Sequence, residues 1–175
     1  EYPKETIENV YRKILIPKKN IILVGMPSCG KSTVGDLISK KLNMPLWDSD
    51  KIIEERCKMS ISEIFKMQGE NYFRDIESEI IAELSSKNGI VLSTGGGAIL
   101  RKENRDAMRQ NGAVVFLERD ISSLATDGRP LSSSEEKLRS MQEIRIPIYK
   151  AVSDFTVKTN DNAKITLSEV GKCVF

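Results

Sequence analysis

Nine consecutive residues constrain this chain more than any others: Gly25-Met26-Pro27-Ser28-Cys29-Gly30-Lys31-Ser32-Thr33. They follow the apolar run Ile21-Ile22-Leu23-Val24 and lead into Val34-Gly35-Asp36-Leu37-Ile38, so the order is strand, glycine-bounded loop, helix. A G-x-x-x-x-G-K-[ST] match carries meaning in that context. Free amides at a helix N-terminus and the positive end of its dipole converge on one point, and both favour phosphate. Gly25 and Gly30 admit backbone approaches that a side chain would obstruct. Lys31 is placed to reach the β- and γ-phosphates of a nucleotide, and the Ser32 hydroxyl to sit on Mg²⁺. A plain glycine turn before an ordinary helix would leave the rest of the motif unexplained. A nucleoside triphosphate is the expected ligand.

The alternation continues downstream. Pro45-Leu46-Trp47 leads a second strand into Asp48-Ser49-Asp50, and a helical stretch follows through Ile53 and Arg56. Ser60-Ile61-Ser62-Glu63 has capping-box spacing and opens a short helix that Gly69 breaks. From Glu70 to about Ser86 runs the longest helical pattern, with Phe73, Ile76, Ile80, Ile81 and Leu84 as its apolar stripe. Lys87-Asn88-Gly89 turns into a third strand, Ile90-Val91-Leu92, which ends at Ser93-Thr94-Gly95-Gly96-Gly97. A helix over 101–110 stops at Asn111-Gly112, before a strand over 113–117. Ser133-x-x-Glu136 opens a helix to about Val152, in which Pro147 predicts a kink or break. A last strand, Phe155-Thr156-Val157, and a helix over 165–170 close the pattern. The expected class is α/β, a three-layer αβα arrangement around a mostly parallel sheet. Ligands then collect at the C-terminal ends of the strands, where the loop, the Asp pair and the glycine triplet all fall.

At 175 residues the chain can bury a core as one domain. Its 27 Lys and Arg against 25 Asp and Glu leave a net charge of +2, so no global field argues for nucleic acid. Apolar runs reach only four or five residues, far short of a membrane span. Nothing at the start has the pattern of a signal peptide. Cys29, Cys57 and Cys173 show no paired spacing and fit a reducing compartment, the cytoplasm. Histidine is absent, so any general base is a carboxylate, a lysine or water. Residues 1–18 read as an N-terminal extension, a helix over 6–15 or a linker, ahead of a domain spanning 19–175. Beginning at Glu1, the chain reads as trimmed or as one domain of a larger multifunctional chain; a monomer is expected.

Several residues invite two readings. Asp48 and Asp50, two apart in an extended segment, share a face and suit metal and substrate contact; a solvated turn fits the spacing equally. Gly95-Gly96-Gly97 means either close backbone approach or a hinge. Arg74, three residues before Glu77, reads most simply as half of a surface ion pair. Arg129, before Pro130, is either a cation for a transferring phosphoryl group or a solvated loop residue. Arg145 and Tyr149, one turn apart, fit a site or the edge of the core. Phe65 and Phe73 read as packing, and Cys29 as a loop filler near a helix N-terminus.

Taken in order and spacing, six segments resemble the shikimate kinase family over roughly residues 20–172. They are residues 25–33, Asp48-x-Asp50, Gly69-Glu70-x-x-Phe73-Arg74-x-x-Glu77, Gly95-Gly96-Gly97, Arg129-Pro130-Leu131 and Arg145-x-Pro147-x-Tyr149. The resemblance implies a P-loop, nucleoside-monophosphate-kinase-like fold with substrate-binding helices and a mobile lid at about 120–134. It implies Mg²⁺- and ATP-dependent phosphorylation of the 3-hydroxyl of shikimate, a step toward chorismate and aromatic amino acids. By the same resemblance, Gly25, Ser28, Cys29, Gly30, Lys31, Ser32, Thr33 and Arg129 hold ATP, while Ser32 and Asp48 hold the metal. Asp50, Arg74, Gly95, Gly96, Gly97 and Arg145 hold shikimate, the two arginines clamping its carboxylate. Lys31, Asp50 and Arg129 act in the transfer, with Asp50 able to accept the hydroxyl proton. Such chemistry depends on positioning and charge, which suits a chain without histidine. The chain departs from the family at Ser28, where another glycine is usual, and in a short lid poor in arginine before Arg129. It also departs at Asn160-Asp161-Asn162, which lacks an arginine that some relatives place near adenine, and residues 1–18 have no counterpart in the compact family form.

Overall fold

A computed structural model describes residues 19–120 and 135–159, together with Ser168 and Val170. β1 (Asn20–Val24) is buried along its whole length, as four consecutive aliphatic residues between strands on both sides require. α1 (Lys31–Leu42), β2 (Leu46–Asp48), α2 (Ser49–Cys57) and α3 (Ile61–Ser85) follow. Then come β3 (Val91–Ser93), a 3₁₀ turn at Ala98–Leu100, α4 (Lys102–Asn111), β4 (Gly112–Glu118), α5 (Glu135–Val152) and β5 (Phe155–Lys158).

The strands form one sheet in the order β2-β3-β1-β4-β5, and every pairing is parallel. From β1 the chain crosses to β2 and β3 on one side, then to β4 and β5 on the other. That reversal opens a crevice beyond the C-terminal end of β1, the place where open α/β sheets bind ligands. Register does the rest. Leu23 of β1 pairs with Ser93 of β3, and Ser93 pairs with Asp48 of β2. Three strand ends therefore reach the crevice on one line, bringing the loop, the Asp pair and the triplet together.

Two helices differ from the sequence reading. The Ser60 capping box is present in both halves, but the expected break at Gly69 is a kink. Gly69 takes φ 84° and ψ 170°, dihedrals that only glycine adopts cheaply, and the helix resumes at once. α5 runs through Pro147 without ending. Pro147 and Glu143 are both exposed, so the ring that removes one helix bond sits on the solvent side of the helix.

The expected helix over 6–15, Arg129, nearly all of the expected lid, residues 160–162 and Cys173 lie outside the described residues. Of the expected last helix, Ser168 and Val170 are described, and both are helical. Among the described residues, no helix is long and apolar enough to cross a membrane.

Candidate active site

α1 begins at Lys31 behind an N-cap glycine, Gly30, at φ 95° and ψ 15°, and no side chain caps it. Its first backbone bond runs from the Val34 N–H to the Gly30 carbonyl at 2.9 Å. The amides of Lys31, Ser32 and Thr33 therefore stand ahead of the helix's own ladder. α2 and α3, by contrast, are capped by the side chains of Asp48 and Ser60. This uncapped N-terminus opens on the crevice, and its first turn carries no acidic residue. It is built for an anion.

Lys31 is buried inside the curve of the loop, where its Nζ donates to the carbonyls of Gly25 (2.9 Å) and Met26 (2.8 Å). These two bonds offset the cost of burying the ammonium. Cys29 is a filler, as expected: its side chain is fully buried and its N–H turns inward to the Met26 carbonyl at 3.3 Å. A side chain at Gly25 would stand 2.7 Å from the Leu117 carbonyl on β4 and 2.8 Å from the Cys29 Sγ.

Ser28 is where the loop is strained. It holds φ 62°, the left-handed region that costs a residue with a Cβ about 1–2 kcal/mol. Ser28→Gly should remove that cost while loosening the unfolded chain, for a net gain of about 0.5–1 kcal/mol. A thermal melt should then show Tm rising by about 1–4 °C. A lower Tm would mean that the serine makes compensating contacts.

Ser32 Oγ donates to Asp48 Oδ2 at 2.8 Å. The other Asp48 oxygen caps α2, accepting the N–H groups of Asp50 (3.1 Å) and Lys51 (3.4 Å). The expectation that both aspartates share a face of an extended segment needs correction. Asp48 is an N-cap and Asp50 lies in the first turn of α2. They converge because a cap and a first-turn residue occupy the same helix end, not because strand side chains alternate. Ser28, Gly30, Lys31, Ser32, Asp48 and Asp50 enclose a cavity of about 170 Å³, closed by Ser93 and Thr94.

A hydroxyl and a carboxylate side by side are hard oxygen donors suited to Mg²⁺. Among the described residues no cluster of three or more histidine, cysteine or acidic side chains could form a protein cage.

The glycine triplet is a place of close approach rather than a hinge. All three glycines are buried, and each faces a different group. A Cβ on Gly95 would lie 2.6 Å from Asp50 Oδ1 and 2.8 Å from Glu77 Oε1. On Gly96 it would meet Pro27 of the loop, 3.1 Å from its nitrogen, and on Gly97 it would run into the Arg74 guanidinium. The Gly95 N–H donates to the fully buried Ser49 Oγ at 3.0 Å. Thr94 donates twice to the Leu23 carbonyl, through its N–H (3.2 Å) and Oγ1 (3.0 Å).

The reading of Arg74 and Glu77 as a surface pair is also corrected. Glu77 is 0% exposed and Arg74 7%, and they meet at 2.6 Å. Glu70 adds a second carboxylate to the guanidinium at 3.1 Å. Burial pushes the Glu77 carboxyl above the ordinary carboxylate range, against the pull of Arg74. Burial also opposes charge on Arg74, but Glu77 and Glu70 outweigh it and hold the guanidinium firmly protonated.

Arg145 and Tyr149 project from α5 to the same acceptor. Arg145 donates to the Gly96 carbonyl at 3.2 Å and the Tyr149 hydroxyl donates to it at 2.6 Å. The core-edge reading holds: Tyr149 is core, stacked on Phe116 at 4.9 Å, and Arg145 stands at its edge with only 6% exposure. Phe65 and Phe73 pack with centroids 4.8 Å apart, as expected. Two buried guanidiniums thus lie against adjacent glycines, next to a carboxylate and the phosphate cradle. Guanidiniums are suited to planar anions such as carboxylates.

Ser49, Ser93, Thr94 and Pro27 were not singled out from sequence. Their signal was position: Ser49 between two aspartates, Ser93-Thr94 between an apolar strand and three glycines.

A family model described as shikimate kinase matches residues 27–174. The shikimate kinase of Haemophilus influenzae is 43% identical over 163 residues, 87% of this chain and 91% of that protein. That of Pseudomonas putida is 44% identical over 151 residues, 82% of this chain and 88% of that one. A solved structure described as shikimate kinase from Acinetobacter baumannii in complex with shikimate superposes with a TM-score of 0.82 at 36% identity. It covers 91% of this chain and 93% of that chain.

Proposed function

The chain belongs to the shikimate kinase family, and from that premise we propose how its own residues carry the reaction. The protein transfers the terminal phosphoryl group of ATP to shikimate, at the 3-hydroxyl, releasing ADP. The hydroxyl oxygen bonds to the γ-phosphorus as the bond to the β-phosphate oxygen breaks, and the electron pair of that bond leaves with ADP. The hydroxyl proton passes to the Asp50 carboxylate.

The amides of Lys31, Ser32 and Thr33 and the Lys31 ammonium receive the phosphates, supplying charge where it develops in transfer. Mg²⁺, when bound, would neutralise phosphate charge, with Ser32 and Asp48 as the residues that hold it. Arg74 and Arg145 take the carboxylate of shikimate, and the Gly95–Gly97 backbone borders the ring. Arg129, outside the described residues, is assigned to the nucleotide side by family resemblance alone. Cys29 and Cys57 are free thiols, which suits the cytoplasm.

One observation carries the acceptor assignment: Arg74 and Arg145, both buried, lie against neighbouring glycines beside Asp50 and Pro27 of the loop. That pair favours an acceptor that carries a carboxylate. An ADP-coupled assay with shikimate, gluconate or no acceptor tests the reading. ADP release should depend on shikimate; equal rates in all three arms would refute it.

A further inference from the structure

The Tyr149 phenol has no part in the scheme above, yet it makes one of the shortest hydrogen bonds near the site. Its hydroxyl donates to the Gly96 carbonyl at 2.6 Å, while Arg145 donates to the same oxygen at 3.2 Å. The ring is fully buried and stacked on Phe116 of β4, 4.9 Å between centroids and 13° between planes. The ring is thus packed in the core, and what fixes the hydroxyl is its bond to the Gly96 carbonyl. The other side of Gly96 is just as constrained, because a Cβ there would lie 2.9 Å from the Pro27 ring and 3.1 Å from its nitrogen. The Gly96 peptide is thus clamped between the loop that holds the donor and the helix that carries Arg145.

We propose that Tyr149 is a positioning residue for the acceptor: its hydroxyl, by holding the Gly96 carbonyl, sets where Arg145 and this peptide stand relative to residues 25–33. The inference rests on the functional reading above. A carbonyl oxygen has two lone pairs, and here a neutral phenol takes one with the short bond. Arg145 needs only a long bond to the other, which leaves most of its N–H groups for a carboxylate. Without the phenol, Arg145 is, among the described residues, the one side chain left on that oxygen, and the guanidinium is drawn toward it and away from the acceptor. Burial pushes the Tyr149 phenol far above its ordinary pKa, so the group stays a proton donor throughout the working pH range.

The test is Tyr149→Phe, which keeps the ring stack and removes only the hydroxyl, with Phe116→Leu as a packing control. Wild-type protein is assayed first for shikimate-dependent ADP release; failure there refutes the functional reading itself. With that in hand, Tyr149→Phe should raise the shikimate KM by about 5- to 20-fold, with a matching rise in Kd by calorimetry. Its kcat should fall by less than about threefold and its ATP KM stay within about twofold. Phe116→Leu should lower Tm yet leave the shikimate KM within about twofold. A Tyr149→Phe enzyme with an unchanged shikimate KM overturns the proposal, whatever its Tm. A KM rise in Phe116→Leu as large as that in Tyr149→Phe also overturns it, because ring packing would then set the site. Should Tyr149→Phe not fold, Phe116→Leu decides by an absolute reading: a shikimate KM raised about fivefold or more overturns the proposal, and one within about twofold of wild type upholds it.

Discussion

Asp50→Asn should lower kcat by about 10²–10⁴-fold, the range for losing a positioned proton acceptor. The ATP KM should stay within about threefold, because the cradle is made by other residues. The substitution changes almost nothing in shape. Asp50 sits in the first turn of α2, fixed through its N–H to the Asp48 cap. Its Oδ1 lies so close to Gly95 that a Cβ there would stand 2.6 Å away, so the side chain cannot be displaced toward the triplet. Asparagine fills the same volume but carries no charge and cannot take up the hydroxyl proton. Asp50 also contributes, after burial and Arg74, to the balance at Glu77, where its negative charge disfavours a second one. Steady-state kinetics over a range of pH, with a melt to confirm folding, checks the expectation. A variant with wild-type kcat would remove Asp50 from the chemistry and leave it a binding residue.

Lys31→Met should lower kcat/KM for ATP by about 10²–10³-fold, as expected when one preorganised donor to developing charge is lost. Here a second effect is legible in the fold. Lys31 Nζ is the donor for the Gly25 and Met26 carbonyls at 2.9 and 2.8 Å. Methionine fills the space and leaves both carbonyls without that donor, at a cost of about 1–3 kcal/mol for each buried group. A fall in Tm of several degrees should therefore accompany the kinetic defect. The two can be separated by assaying at a temperature well below the variant's melt, where the folded fraction is near one. Recovery of wild-type activity there would mean that Lys31 supports the loop and does not act on phosphate.

The elements themselves were readable because their causes are local. A run such as Ile21–Val24 can only be buried on both faces, the Ser60-x-x-Glu63 box closes on itself through bonds three residues apart, and Gly30 before Lys31 supplies the left-handed turn an uncapped helix needs. The Asp48/Asp50 pair was located correctly for the wrong reason, since whether Asp50 continues a strand or begins a helix depends on the cap that Asp48 forms. Arg74 and Glu77 show the limit more sharply. An i, i+3 pair has the same spacing whether it lies in water or in the core, and nothing in that spacing reveals 0% exposure for Glu77.

By itself, then, the sequence determined the strand–loop–helix that cradles phosphate, the alternation that makes a parallel sheet, and the ordered residues that mark the family. Backbone dihedrals, apolar period and caps act over a few residues, so they are written in a few residues. Only the tertiary structure decided that Arg74, about twenty residues from the triplet, presses on Gly97, and that Tyr149 reaches back 53 positions to the Gly96 carbonyl. Only the structure showed Pro27 facing Gly96, so that the loop over 25–33 and the glycine triplet touch. Those contacts depend on sheet order and register, which bring the ends of β1, β2 and β3 onto one line. The strand–loop–helix is local and was legible from its own residues; Asp50, Arg74, the triplet and Arg145 were named by family resemblance, and their contacts, assembled across the sheet, were not legible.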